Sequence, residues 1–278
     1  MSGEIRFVKM HGAGNDFIML NGIEGLPVLD RGIIAALCHR RRGIGADGLI
    51  VILPGGAADF RMVYYNSDGG EADMCGNGAR CAARYAFDLG VASSPMSFET
   101  RCGIVEAEIR GGDVLVGIGV VRGTFTGLRL DGIEGEVHFA DSGVPHAVVL
   151  HEDAESVPAG EFLLMARMLR YHERFGVGGA NVNLATVLGE HEISYRTFER
   201  GVEGETEACG TGAAAVSVVT AHLGLTSSPV TCLTSGGDRI VVGFDISDGG
   251  ATGCTLLGPA AAAFEGMFRP ETFGIRTP

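Results

Sequence analysis

G-G-E-A-D-M-C-G-N-G-A, Gly69–Ala79, returns as E-G-E-T-E-A-C-G-T-G-A at Glu203–Ala213, and this recurrence decides the fold. Cys75 and Cys209 lie 134 positions apart, and that offset holds without a gap from Gly70 to Gly103. Identical residues stand at 13 of those 34 positions, among them Gly76, Gly78, Ala79, Gly90, Ser93-Ser94-Pro95 and Gly103. So many evenly placed identities point to a duplicated α/β half. After Cys75 the residues Ala79, Ala82, Ala83, Ala86 and Phe87 follow helical spacing. After Cys209 the run A-A-A-V-S-V-V-T-A has almost no polar face, which predicts a helix buried on most sides. Gly90 and Gly224 stand 15 residues past their cysteines, where a left-handed C-terminal cap is expected.

The glycines of C-G-x-G leave backbone N–H groups uncovered at the start of each helix, where the first four have no partner within the helix. Together with the helix dipole they make an anion site. A thiol seated there has its thiolate stabilised. Each copy therefore offers a reactive sulfur beside a cradle for a carboxylate. With a carboxylate held at both, one thiolate can remove the α-proton while the opposite thiol reprotonates the other face. The N–H donors then stabilise the charge that develops.

Working outward, Ile5–Lys9, Phe17–Leu20, Leu49–Leu53, Asp59–Asn66, Met96–Thr100, Gly103–Ile109 and Val114–Val121 read as strands of the first copy. Met10–Phe17, M-H-G-A-G-N-D-F, reads as a turn, and Leu29–His39 as a helix. In the second copy the strands are Gly135–Ala140, Ala180–Val187, Ile193–Phe198, Val230–Thr234 and Arg239–Phe244, with a helix over Phe162–Tyr171. The offset pairs Asn66 with position 200, so Asn66 and Arg200 are expected at corresponding strand ends, lining one cleft with the cysteines. For Arg200 a solvated surface pair is the competing reading.

A chain of 278 residues fits about two domains. Its net charge of −13 argues against nonspecific nucleic-acid binding. The sequence holds no run of 18 apolar residues and no charged-then-apolar leader, so neither a membrane span nor a secretion signal is expected. The seven cysteines include no C-x-x-C pair, and no zinc or other metal site is expected. In a reducing cytosol most would be free thiols. Cys38, Cys81, Cys102, Cys232 and Cys254 read as small core hydrophobes. No lysine is placed for a pyridoxal cofactor and Gly43–Gly48 is not a phosphate loop, so the expected chemistry uses no cofactor.

M-H-G-A-G-N-D-F, N-S-D-G-x-E-x-x-x-C-G-N-G-A-R-C, G-x-P-H and F-E-R-G-x-x-x-E-T-x-A-C-G-T-G-A together resemble the diaminopimelate epimerases, over about Phe7 to Val242. The resemblance implies an α/β (α+β type) fold of two pseudo-symmetric domains. Each would be a curved mixed β-sheet wrapped around a central α-helix, with the active site in the cleft between them. The halves would be 1–121, with 265–278 returning to it, and 122–264. The implied activity is interconversion of LL- and meso-diaminopimelate in lysine and peptidoglycan precursor synthesis, without cofactor, by a cytoplasmic homodimer. Cys75 and Cys209 would be the acid–base pair, and His146 and Glu199 would tune the thiols. Gly76, Asn77, Gly210 and Thr211 would hold the reacting carboxylate. Asn15, Asn66, Asn181 and Arg200 would fix the rest of the substrate, with Glu199 receiving the distal ammonium. For His146 a hydrogen-bonded core histidine is the alternative.

Two positions depart from the pattern. Val144 stands where some members have Asn before Pro-His, and Gly48 where some have Gln after G-I-G-x-D. Both bear on substrate identity more than on reaction type. A related racemase acting on histidine, proline or hydroxyproline, and a noncatalytic amino-acid-binding relative, therefore stay open. So does a redox response, since two thiols facing one cleft could form a disulfide.

Overall fold

The computed structural model describes residues 4–275. The chain divides into two compact units: one runs to Val116 and resumes at Pro259, and the other is Gly117–Gly258. The last three residues of the 265–278 segment lie outside the described residues.

The first unit contains β1 (Ile5–Gly12), β2 (Asn15–Asn21), α1 (Arg31–Cys38), β3 (Gly48–Pro54), β4 (Phe60–Asn66), β5 (Glu71–Ala72), α2 (Gly76–Asp88), β6 (Met96–Thr100), β7 (Gly103–Arg110) and the start of β8 (Asp113–Leu128). The second contains the rest of β8, then β9 (Val137–Asp141), β10 (Pro145–Leu150), α3 (Ala159–Arg170), β11 (Asn181–Gly189), β12 (Glu192–Glu199), β13 (Gly204–Thr206), α4 (Gly210–His222), β14 (Val230–Thr234), β15 (Arg239–Ser247) and β16 (Gly250–Pro259). β17 (Ala261–Phe268) belongs to the first unit and pairs antiparallel with β1.

Topology repeats as the sequence does. The pairs β2–β3 and β4–β6 are parallel, and so are their counterparts β10–β11 and β12–β14. In the first unit the order is β17-β1-β2-β3-β4-β6-β7-β8, with β5 also on β4. In the second it is β8-β9-β10-β11-β12-β14-β15-β16, with β13 on β12, and β16 pairs with β8 so that the sheet returns on itself.

Each sheet is covered on both faces. In the first unit Ile18 and Leu20 of β2 meet Ile33, Ile34 and Leu37 of α1. The adjacent Phe17 and Met19 are equally buried, and α2 packs against β1, β2, β3 and β4. Burial on both faces explains why β2 reads as a continuous apolar run and not an alternating one. In the second unit α3 supplies Phe162, Ala166 and Leu169 to a cluster with Val182, Leu184 and Phe198. Helix α4 packs against β9, β10, β11, β12, β14 and β15 and is buried at every residue from Gly212 to Thr220. That is the all-apolar helix the sequence predicts. Gly90 and Gly224 follow the two helices with φ of 71° and 72°, the left-handed region where a Cβ is disfavoured.

Three expectations change, and two strands are added. The turn in M-H-G-A-G-N-D-F shrinks to Ala13-Gly14, both with positive φ, because β1 and β2 form a two-residue hairpin pairing Gly12 with Asn15. The Leu29–His39 helix covers Arg31–Cys38, its start fixed by Asp30 Oδ1 accepting from Ile33 N at 2.9 Å. Cys102 is exposed in the β6–β7 turn and not in the core. Strands β16 and β17 lie where A-T-G-C-T-L-L-G-P and A-A-A-F-E-G-M-F carry little strand signal, and long-range pairing alone makes them extended.

Candidate active site

The two cysteines occupy equivalent places. Cys75 is the N-cap of α2 and Cys209 the N-cap of α4, both in extended backbone. The first intrahelical bonds run from Ala79 N to Cys75 O at 2.7 Å and from Ala213 N to Cys209 O at 2.9 Å. Gly76 and Asn77, like Gly210 and Thr211, therefore have N–H groups upstream of the helical ladder. The geometry presents a sulfur and outward backbone donors at each helix start. Three of the other cysteines lie away from the helix starts, Cys38 and Cys81 inside helices and Cys232 in β14. Burial pushes Cys38, Cys81 and Cys232 up to about 12, so they remain thiols at neutral pH.

In the first unit, Cys75 Sγ donates to Asn15 Oδ1 at 3.4 Å, and Asn15 Nδ2 donates to Asp47 Oδ2 at 2.8 Å. The β1–β2 hairpin brings Asn15 there. It fits because Gly12 lies against α2, where a Cβ would come within 2.9 Å of Asn77 O. Asn77 Oδ1 accepts from Arg80 Nη2 at 2.7 Å, and the same buried guanidinium donates to Pro259 O at 3.2 Å and Gly76 O at 3.5 Å. Asn66 ends β4 and accepts from Tyr64 OH at 2.9 Å. Gly48 is explained by its neighbour: a Cβ there would lie 2.6 Å from the Tyr64 ring and from Tyr65 O, so Tyr64 occupies the space a longer side chain would use.

In the second unit the residues form one hydrogen-bonded network. Cys209 Sγ accepts from Gly212 N at 3.4 Å and lies 3.4 Å from Thr211 Oγ1. Thr211 Oγ1 is 3.1 Å from His146 Nε2, and Thr211 O accepts from Ser142 Oγ at 2.8 Å. Asn181 Oδ1 accepts from Arg200 N at 2.7 Å and its Nδ2 donates to Pro145 O at 3.3 Å. β12 ends at Glu199, so Arg200 sits one residue past the strand, whereas its repeat counterpart Asn66 is the last residue of β4. Val144 lies in the turn before β10, its O accepting from Ser142 N at 3.2 Å.

Asn183, Thr197, Ser142, Tyr64 and Arg80 join these sets although the sequence reading did not single them out. One signal was present. In A-N-V-N-L-A-T-V the period of two puts Asn181 and Asn183 on one face of β11, and two amides on a buried face require partners.

His146 is fully buried, and that burial, with Arg200 nearby, lowers it to about 3 although Asn183 opposes the shift. It is neutral in the folded protein, while an unfolded histidine titrates near about 6.5. The folded state thus binds fewer protons between those values, and its contribution is fully present above the unfolded pKa and lost as pH falls. Stability is expected to fall by about 1.4 kcal/mol per pH unit on this account from about pH 6 downward. Urea unfolding at pH 4.5 to 7 checks it: His146→Gln is expected to flatten that part of the curve.

The glycine two residues into each helix is held by unequal neighbours. A Cβ on Gly212 would meet Asn183 Oδ1 at 2.6 Å and Thr197 Oγ1 at 3.1 Å, whereas one on Gly78 would meet the flexible tip of Ile50 at 3.0 Å. Gly212→Ala is expected to destabilise by about 1–3 kcal/mol and Gly78→Ala by less. Denaturant midpoints of the two variants give the comparison, and equal losses would contradict it.

Comparison with known proteins shows the family. The family model described as diaminopimelate epimerase matches residues 7–123 and 138–252. The diaminopimelate epimerase of Archaeoglobus fulgidus is 39% identical over 95% of this chain and 96% of its own length. That of Aquifex aeolicus is 36% identical over 96% and 99%. Among solved structures, a Bacillus anthracis phenazine biosynthesis protein of the PhzF family superposes with TM-score 0.70 at 13% identity, covering 96% of this chain and 99% of its own. A hydroxyproline epimerase from Agrobacterium vitis, with bound trans-4-OH-L-proline, has TM-score 0.70 at 16% identity over 98% and 95%. At such identities the two structures speak to the fold alone.

Proposed function

Because the chain belongs to the diaminopimelate epimerase family, we propose that it interconverts LL- and meso-diaminopimelate by moving one α-proton, without pyridoxal phosphate or any other cofactor. The observation that carries this reading is the family match along nearly the whole chain, including both C-G-x-G helix starts. In this reaction Cys75 and Cys209 are the acid–base pair. One sulfur enters as thiolate and takes the α-proton, and the other enters as thiol and delivers a proton to the opposite face. The N–H groups of Gly76, Asn77, Gly210 and Thr211 bind the substrate carboxylate. They stabilise the charge that develops on it as the α-carbon loses its proton.

Asn15, Asn66, Asn181 and Arg200 bind the remainder of the substrate, Arg200 through two parallel hydrogen bonds to the distal carboxylate. Glu199 receives the distal ammonium. Such a product serves lysine and peptidoglycan precursor synthesis, and we place the protein in the cytoplasm as a homodimer.

The test is incubation in deuterated water with LL-diaminopimelate, meso-diaminopimelate, histidine, proline and hydroxyproline. The expected result is α-deuterium incorporation with epimerisation of diaminopimelate only. Turnover of proline or hydroxyproline without diaminopimelate would assign the chain to a racemase of the other substrate type. No exchange with any of them would make it a binding protein.

A further inference from the structure

The amides around His146 determine where every proton of the second-unit network lies. Asn183 Nδ2 is 3.1 Å from Ala147 O and 3.0 Å from His146 Nδ1, while Asn183 Oδ1 accepts from Thr197 Oγ1 at 2.8 Å. A backbone carbonyl only accepts, so the atom facing it is the amide nitrogen, and the same NH₂ donates to the ring. His146 Nδ1 must then carry the lone pair. The ring is fully buried and neutral, so its hydrogen sits on Nε2.

Two atoms lie near Nε2: Thr211 Oγ1 at 3.1 Å and Asn181 Nδ2 at 3.4 Å. Asn181 Oδ1 is committed to Arg200 N and its Nδ2 donates to Pro145 O at 3.3 Å, so the longer 3.4 Å approach of that nitrogen to Nε2–H is not a hydrogen bond and cannot receive the ring proton. The proton goes to Thr211 Oγ1. A hydroxyl oxygen that accepts there turns its own hydrogen elsewhere, and Cys209 Sγ lies 3.4 Å away.

We propose that Asn183 and Thr197 are positioning residues: they hold His146 in its Nε2–H tautomer, so that the ring fixes the Thr211 hydroxyl with its hydrogen on the Cys209 sulfur. The sulfur then receives two donors, Thr211 Oγ1–H and Gly212 N–H, which favour thiolate over thiol. His146 acts as a neutral donor and not as a base, because its lone pair is taken up by Asn183 Nδ2. Arg200 is the charged group acting on the ring; β11 presents the uncharged Asn181 and Asn183, β12 presents Thr197, and α4 presents Thr211 and Cys209. This inference rests on the reading of Cys209 as an acid–base group, but its test does not require turnover.

In the full-length protein, the side-chain ¹⁵N shifts of His146 are expected to show Nε2 protonated and Nδ1 bare. Alkylation of Cys209 by iodoacetamide at pH 7, followed by peptide mass spectrometry, is expected to slow about tenfold in Thr211→Val and in Asn183→Leu, one pKa unit. Thr211→Ser is expected to stay within about twofold of the parent, because it keeps the hydroxyl. Cys75, in the other unit, is expected to react at the parental rate in all three. A wild-type ring protonated at Nδ1, or a Cys209 rate unmoved in folded Thr211→Val, overturns the proposal. If Asn183→Leu does not fold, the wild-type tautomer and the Thr211 pair decide. Failure of diaminopimelate turnover with these readouts intact would remove the substrate reading and leave this one standing.

Discussion

Cys209→Ala is expected to lower the rate of diaminopimelate epimerisation by about 10²–10⁴-fold, the contribution of a positioned acid–base group. Cys75→Ala is expected to do the same. The two losses should differ in kind. With one sulfur gone, the remaining thiolate can still remove a proton from the face it addresses and return one to that same face. Solvent exchange without inversion is then expected for one stereoisomer in Cys209→Ala and for the other in Cys75→Ala. Mass spectrometry of substrate recovered from deuterated water reads both. A single variant that epimerises near the parental rate would exclude the cysteine pair.

The second large effect is expected at Arg80, which no part of the proposed proton transfer uses. Its side chain is fully buried beneath the start of α2 and donates to Asn77 Oδ1, Pro259 O and Gly76 O. Arg80→Ala empties a large buried volume and strips three acceptors of a charged donor. A loss of about 3–5 kcal/mol is expected, since each acceptor left in the interior keeps its desolvation cost and the cavity adds to it. Arg80→Lys restores a cation but not the planar fork, and is expected to recover only part. Urea unfolding monitored by circular dichroism gives both values. A loss under about 1 kcal/mol in Arg80→Ala would show that the guanidinium is dispensable.

The repeat was legible because it is a property of spacing. An offset of 134 carries α2 (Gly76–Asp88) onto α4 (Gly210–His222) and β6 (Met96–Thr100) onto β14 (Val230–Thr234) without a residue of difference. The helix-capping cysteines were legible for the same reason, since C-G-x-G and the glycine after each helix are local signals. Cys102 was misread because residue type says nothing about depth: it lies in the turn between β6 and β7, where the chain is exposed. β16 and β17 were invisible because alanine and glycine carry weak strand preference, and their pairing partners are distant in sequence.

By itself, then, the sequence determined what depends on neighbours along the chain: the duplicated half, the buried helices, the thiols at their starts and the family. Which polar groups touch those thiols was decided only by tertiary structure. Asn15 reaches Cys75 across 60 residues, and Asn183 meets His146 across 37, by way of strand pairing and helix packing. Proton positions follow from such contacts and not from residue type. A histidine becomes a donor or a base according to which atom a folded neighbour turns toward each ring nitrogen.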